Sequence, residues 1–305
     1  MRIKSFSLRI QSTEVIDTFA EAFAMWGARV TITAATPAWA LAAARSMTGF
    51  ATSVIGCKCE AGIERELSAE ETPDARPGIS VLLFSTSMEG AGKRLLERIG
   101  QCVMTCPSTS CFNGLASGEG VSVGGKLRFF GDGYQIGKFL DERRYWRIPV
   151  MDGEFVVDDR FNIQPAVGGG NLLIHGLDQT RTLEAAEAAA DAMRAVPGVI
   201  LPFPNGVVRS GSKPGSRYKG LPASTNDAYC PTLRAFSAAT EVPFDAACVL
   251  EIVIDGLELR AVQDAMRVGI NAASGNGALR ISAGNYGGDL GQYRIGLYEL
   301  LQAAT

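Results

Sequence analysis

Three times along this chain, a short apolar run is followed by a stretch whose apolar residues recur every three or four positions. That alternation demands folds in which amphipathic helices pack on sheets. In the first unit, Ile79 to Phe84 reads as a strand, Lys93 to Thr105 as a helix, and Lys126 to Phe130 as a second strand. In the second, Asn171 to Ile174 leads into a helix from Thr182 to Ala195, stopped by Pro197-Gly198. The third runs from a strand at Val249 to Ile254, through a helix carrying Leu259, Val262, Met266, Ile270 and Ala273, to a strand at Leu279 to Ala283. Trp146 to Val150 and Glu154 to Val157, joined through Met151-Asp152-Gly153, carry a hairpin signal. Helices between short strands, with extra strand pairs, favour an α+β or α/β sandwich. At 305 residues the chain has length for two lobes, and the β pattern lapses between Asp159 and Gly169. The expected division is therefore 1–165 and 166–305.

Composition narrows the chemistry. A net charge of −3 without a long basic run offers no electrostatic footprint for nucleic acid. The apolar stretch after Phe19 contains Glu21, Arg29 and Pro37, so it does not read as a bilayer span. The seven scattered cysteines do not resemble a disulfide framework, and no cleavable signal is read ahead of them, which makes cytoplasm the expected compartment. With one histidine, His175, and no CxxC pair, neither a tetrahedral metal site nor a Ser-His-Asp or Cys-His arrangement is expected. The His175 side chain, in an apolar run, reads as structural. Chemistry is left to carboxylates, hydroxyls and backbone amides.

Several segments could supply it, and each also has an ordinary structural reading. Gly168-Gly169-Gly170 and Gly284-Asn285-Tyr286-Gly287-Gly288 fit no phosphate-cradling motif and read as tight turns. The second cluster nevertheless follows an expected strand, where small-molecule clefts form. Arg209, Ser210, Lys213, Arg217 and Lys219 belong to a basic loop that is either solvated or an anion clamp. Ser224, Thr225, Asn226 and Asp227, between Pro222 and Pro231, satisfy turn chemistry and could equally present donors in fixed directions. Glu251 stands inside an apolar strand, where burial would raise its pKa into the range of a proton donor. An edge position facing water is the alternative. Asp17 and Glu21 read as the polar face of a helix.

Taken in order, a set of segments resembles the formylmethanofuran–tetrahydromethanopterin formyltransferase family over nearly the whole chain. They are DTFAEAFAMWGARVTITA from Asp17, RIGQCVMT from Arg98, FFGDGYQ from Phe129, PFPNGVVRS from Pro202, LPASTNDAYCPT from Leu221, EIVIDGL from Glu251 and ISAGNYGGDLGQY from Ile281. The resemblance implies an α+β fold of two lobes, each a ferredoxin-like split βαβ sandwich. It implies reversible formyl transfer between formylmethanofuran, or a related furan carrier, and N5 of tetrahydromethanopterin, with neither metal nor redox cofactor. It also implies a homo-oligomer, and in methylotrophic bacteria a place as one subunit of a formyltransferase/hydrolase complex. Glu251 matches the carboxylate the family uses beside the formyl carbon. Ser224 to Asp227 with Gly284, Asn285, Gly287 and Gly288 are candidates for lining the carriers' head groups. Arg209, Ser210, Lys213 and Arg217 are candidates for their acidic tails, an assignment made from charge.

Departures from the family pattern are local. Met1 to Ser12 extends beyond the family's usual start and reads as a strand offered to a partner. Ser87 to Lys93 and Ser117 to Gly125 fit the pattern poorly. Of 29 basic residues 22 are Arg, which with abundant Ala fits a GC-rich bacterial methylotroph. Two other classes of function stand beside the transferase: a non-catalytic scaffold subunit of the same complex, and a pterin-binding or amide-hydrolysing enzyme. Retention of Glu251, of the basic loop and of the Asn226-Asp227 pair argues against the first. The lack of a metal-ligand cluster to activate water argues against the second.

Overall fold

The structure, a computed structural model, describes residues 8–140 and 142–302. Its residues group into two compact units, one of residues 24–167 with 255–258, the other of residues 8–23, 168–254 and 259–302.

In the first unit, four strands and two helices follow the order βαββαβ: Phe19–Thr33 (from residue 24 onward), Pro37–Thr48, Glu60–Leu67, Gly78–Ser85, Met88–Arg98 and Ser110–Asn113. Gly78–Ser85 lies antiparallel between Glu60–Leu67 and the Phe19–Thr33 strand, which pairs antiparallel with Ser110–Asn113 on its other side. Numbered along the motif, that order is 4-1-3-2, the ferredoxin-like arrangement. Both helices start on a side-chain cap, with Thr36 accepting from the Trp39 N–H and Ser87 from the Gly90 N–H. Their inward faces, through Ala40, Met47 and Leu95, close on the strand residues Val30, Ile32, Val81 and Leu83 as one core. The sheet then extends through Gly153–Asp158 to Arg143–Val150 and Ile136–Leu140. The hairpin expected around Met151-Asp152 forms, with Gly153 at φ +136° beside its turn.

Two expectations fail here. Lys126 to Phe130 is not a strand: Gly124–Leu127 is a helical turn that continues as a 3₁₀ turn through Arg128–Gly131. Phe129 and Phe130 are exposed, so the apolar run marks surface and not core. Ser110–Asn113 closes the motif in its place. The second helix begins at Met88, five residues before the sequence period suggested, and its last turn widens into a π-helix over Ile99–Val103.

The second unit repeats the pattern. Arg160–Gly176 (from residue 168), Gln179–Arg194, Val199–Ile200, Cys248–Gly256, Leu259–Gly275 and Arg280–Ser282 again run βαββαβ, and Cys248–Gly256 lies between Val199–Ile200 and the Arg160–Gly176 strand. Arg280–Ser282 pairs antiparallel on the far side of that strand. Strand alternation puts Leu172 and Ile174 on one face and Asn171, Leu173 and His175 on the other. Gly170 shares the first face and meets the Leu259–Gly275 helix so closely that a Cβ would lie 2.5 Å from Val262. The three glycines are thus strand backbone, with Gly170 against the helix and Gly169, at φ +79°, against the Phe23 ring, not the tight turns the sequence suggested.

Thr13–Val15 pairs parallel with Arg280–Ser282, and Leu8–Ile10 turns back antiparallel on Thr13–Val15. The described part of the N-terminal segment therefore pairs within its own chain, and Met1 to Ser7 lie outside the described residues. Asp17 and Glu21 are not on a helix: Asp17 precedes, and Glu21 lies within, the Phe19–Thr33 strand, at whose start Tyr293–Gly296 pairs antiparallel. Among the described residues all seven cysteines are free. No helix of the described residues is long and apolar enough to cross a membrane.

Candidate functional site

The face of the second sheet turned away from its helices carries the polar residues. Ile252 and Ile254 of Cys248–Gly256 are fully buried on the helix side, and Glu251, between them and Val249 in the alternation, points to the other. Its backbone is fixed by a two-way bridge with Val208: the Val208 N–H donates to the Glu251 carbonyl at 2.7 Å and the Glu251 N–H to the Val208 carbonyl at 2.9 Å. The side chain reaches a cavity of about 40 Å³ lined by Leu173, Arg209, Gly211, Thr225 and Asn226 among others. A Cβ on Gly211 would sit 2.9 Å from Glu251 Oε2, so the Gly211 backbone lies directly against the carboxyl, and a larger residue there would push the carboxyl aside. Among the described residues the carboxyl makes no side-chain hydrogen bond or ion pair, and burial pushes its pKa up to about 7. An acid protonated near neutrality, at a cavity wall, can donate a proton or a hydrogen bond.

The basic loop and the polar run prove to be two arms of one hairpin, Ser212–Pro214 paired antiparallel with Ala223–Thr225. Ser224 Oγ donates to the Gly215 carbonyl at 2.7 Å, closing the arms. Lys213 is bound to Asp227, whose other oxygen accepts from Ser237 Oγ at 3.1 Å. The ammonium holds the Asp227 carboxyl below the usual carboxylate range. Lys213 is thus partnered inside the protein, whereas Ser210 and Arg217 are exposed and Arg209, also exposed, lines the Glu251 cavity. Thr225 and Asn226 line the same cavity; Ser224 and Asp227 face a cleft of about 550 Å³ on the other side of the hairpin.

Gly284 to Gly291 follows the Arg280–Ser282 strand as expected, and its shape has a cause that sequence reasoning missed. Glu21, only 1% exposed, reaches into this loop. Its Oε2 accepts from the N–H groups of Tyr286 at 2.7 Å and Gly288 at 3.0 Å, and its Oε1 from those of Leu290 and Gly291 at 2.5 Å each. Burial raises the Glu21 pKa, but the four donors outweigh it and the net shift is downward, so it is a carboxylate. Gly287 and Gly288, both at φ +80°, allow the turn that aims these amides inward. Asn171 grips the other end, accepting from the Gly284 N–H at 2.6 Å and donating to the Gly284 carbonyl at 3.0 Å. Asn285 donates to Thr18 Oγ1 and to the Phe19 carbonyl, both at 3.2 Å. Tyr286 spans to the hairpin, its hydroxyl donating to the Ser212 carbonyl at 3.3 Å. Burial and the carboxylates of Glu251 and Glu21 raise its pKa. Glutamate followed far downstream by a GNYGGDLG run was the available signal, but only pairing of the two segments gives it meaning.

His175 is fully buried, with Nε2 3.0 Å from Ser282 Oγ and its ring edge-on to Tyr229. Burial, reinforced by Arg280, drives its pKa down to about 3, so it is neutral. Among the described residues no three His, Cys, Asp or Glu side chains group as a metal site.

The comparisons with known proteins agree along the chain. The family model described as formylmethanofuran-tetrahydromethanopterin formyltransferase matches residues 8–150, and that of its proximal lobe matches residues 153–300. The formylmethanofuran–tetrahydromethanopterin formyltransferase of Methylococcus capsulatus is 55% identical over 96% of this chain and 99% of its own. A chain in the crystal structure of the formyltransferase/hydrolase complex from Methylorubrum extorquens, with methylofuran, superposes with a TM-score of 0.94 at 51% identity, over 97% of this chain and 99% of that one. The Methanosarcina barkeri formyltransferase superposes at 0.91 with 47% identity, over 96% of this chain and all of that one. The chain belongs to the formylmethanofuran–tetrahydromethanopterin formyltransferase family.

Proposed function

We infer that this chain is an N-formyltransferase that moves a formyl group, reversibly, between formylmethanofuran or a related furan carrier and N5 of tetrahydromethanopterin. The observation that carries the mechanism is the Glu251 carboxyl, raised by burial to about 7 at the wall of a small cavity. The acceptor nitrogen adds to the formyl carbon, giving a tetrahedral adduct whose oxygen bears the displaced charge. Protonated Glu251 stabilises that oxygen by hydrogen bonding, then gives its proton to the departing nitrogen as the C–N bond breaks. The acceptor nitrogen sheds one proton, which restores the acid. The chain's remaining task is to hold the two carriers together, and juxtaposition alone supplies a large part of such an acceleration.

The other candidates take their roles from position. Thr225 and Asn226, with Asn285 and the Gly284–Gly288 backbone, line the head groups, while Ser224 and Asp227 shape the hairpin. Arg209, Ser210 and Arg217 meet anionic tails, and Lys213 contributes through its pair with Asp227. The reaction uses no metal or redox cofactor. Assembly with the other subunits of a formyltransferase/hydrolase complex is supported by the likeness to the Methylorubrum complex chain, and the same reading takes in a homo-oligomer and a cytoplasmic location.

The test is formation of 5-formyl-tetrahydromethanopterin by the purified chain in metal-free buffer, first alone and then with partner subunits. Glu251→Gln should lower turnover by roughly 10²–10⁴ with folding intact; near-normal turnover would remove Glu251 from the chemistry.

A further inference from the structure

Three neighbouring strands of the second unit present polar side chains on the sheet face that carries Glu251. Arg160–Gly176, with His175, lies between Cys248–Gly256, with Glu251, and Arg280–Ser282, with Ser282. Ser282 stands opposite Leu173, two residues before His175, so both project from the same face as Leu173, which lines the Glu251 cavity. His175 Nε2 lies 3.0 Å from Ser282 Oγ, and the His175 ring meets Tyr229 edge-on with 5.9 Å between centroids. Tyr229 lines both the Glu251 cavity and a neighbouring hollow of about 350 Å³, which Ser282 also lines. The side chains of His175, Ser282 and Tyr229 thus run from the interior to the wall on which Glu251 stands.

The direction of hydrogen bonding along this run follows from where the protons sit. His175 is fully buried and neutral, and among the described residues its Nδ1 has no hydrogen-bond partner. A buried N–H without an acceptor is rarer than a bare ring nitrogen, which puts the proton on Nε2 as the donor to Ser282 Oγ. Ser282 then has its own proton to give, and it hydrogen-bonds the Tyr229 hydroxyl. Burial first, then Glu241 and Glu251, raise the Tyr229 pKa to about 12, while Ser282 acts to lower it. A donor to the phenolic oxygen favours the phenolate, so that sign fits Ser282 donating. The Tyr229 proton is therefore aimed away from Ser282, and the phenol shares it in hydrogen bonds without giving it up.

Such a group complements Glu251. When the Glu251 proton passes to the departing nitrogen, the oxygen of the adduct loses that donor, and a phenol that keeps its proton still holds it. We propose that Tyr229 donates a hydrogen bond to the oxygen of the tetrahedral adduct, and that His175 is a positioning residue that fixes the direction of this hydroxyl through Ser282. Neither residue makes or breaks a covalent bond; the proton transfers stay with Glu251 and the two carrier nitrogens. This assignment rests on the formyltransferase reading.

The experiment is a double-mutant cycle in steady-state kinetics on the full chain, with partner subunits present if the wild type needs them. It compares wild type, Tyr229→Phe, Ser282→Ala and His175→Leu, and each of the last two combined with Tyr229→Phe. Melting curves accompany every variant, and Ser282→Ala carries the cycle alone if His175→Leu does not fold. Tyr229→Phe should lower kcat roughly 10²-fold, with KM for either carrier within about twofold of wild type. Ser282→Ala and His175→Leu should each lower kcat about tenfold in the wild-type background. Both should lose that effect in the Tyr229→Phe background, where no hydroxyl remains to be directed. A purely structural His175 would lower kcat by the same factor in both backgrounds; that result, or no loss in either, would overturn the positioning role. A Tyr229→Phe variant with kcat intact, whether or not its KM rises, would overturn the hydrogen bond to the adduct and leave the transferase reading standing. A wild type without turnover, alone or with partner subunits, would overturn the transferase reading itself.

Discussion

Glu21 and Gly291 are 270 residues apart in sequence and joined by a 2.5 Å hydrogen bond, the Gly291 N–H donating to Glu21 Oε1. With the N–H groups of Tyr286, Gly288 and Leu290 on the same carboxylate, the strand residue acts as a template for the loop. Glu21→Gln keeps the shape but replaces one acceptor oxygen by an NH₂ that faces backbone donors. Expected is a stability loss of about 2–4 kcal/mol in denaturant melts and a raised KM for at least one carrier. Unchanged KM would show that the loop holds its shape without the carboxylate.

Gly291→Ala probes the same contact from the other side. An alanine Cβ would lie 2.5 Å from the Ala22 carbonyl oxygen and 2.6 Å from Glu21 Cγ, and the first of these is backbone that cannot swing aside. The substitution should displace the loop and lower the melting temperature. Paired with Glu21→Gln, the two losses should fall well short of adding, because both variants break one contact.

Glu251 sets a pH dependence of defined sign. Its ordinary pKa near 4.5 is raised to about 7 by burial, so the folded chain holds a proton that the unfolded chain releases. Stability from this group is present below about 4.5, falls as pH rises from there to about 7, and is flat above. Glu251→Gln should therefore melt at a higher temperature than wild type at pH 8 and near the same temperature at pH 4. Turnover that uses the protonated acid should decline as pH rises through about 7. A pH profile without that limb would separate Glu251 from the proton transfer.

The hairpin's cations divide by partner. Lys213 is held by Asp227, whereas Arg217 is exposed. Arg217→Ala should weaken carrier affinity at low ionic strength, with the difference shrinking as salt screens the exposed charge. Lys213→Ala should act mainly on structure, lowering the melting temperature as Asp227 loses its ion pair. Salt-independent KM in Arg217→Ala would show that this arginine meets no anionic tail.

Local pattern made much of this readable. The helices at Gln179–Arg194 and Leu259–Gly275 and the strand carrying Glu251 show directly in hydrophobic period and β-branched runs, because each buries one face or one side of a sheet. Where the pattern misled, a short-range signal met a long-range constraint. Lys126 to Phe130 looked like a strand because its apolar residues are adjacent, yet both phenylalanines are displayed on the surface of a helical turn. Gly168 to Gly170 looked like a turn because glycine permits one, yet the close approach of Val262 is what excludes a side chain at Gly170.

By itself the sequence determined the family, the two βαβ-rich lobes and Glu251 as a carboxyl set in an apolar strand. All of these follow from residue order over stretches of ten to twenty residues. Only the tertiary structure decided that Glu21 is a buried strand carboxylate gripping a loop near the other end of the chain, that Lys213 is spent on Asp227, and that a small cavity lies against Glu251. Burial, ion pairing and cavity shape depend on which distant segments fold against each other, and no local pattern of residues encodes that pairing.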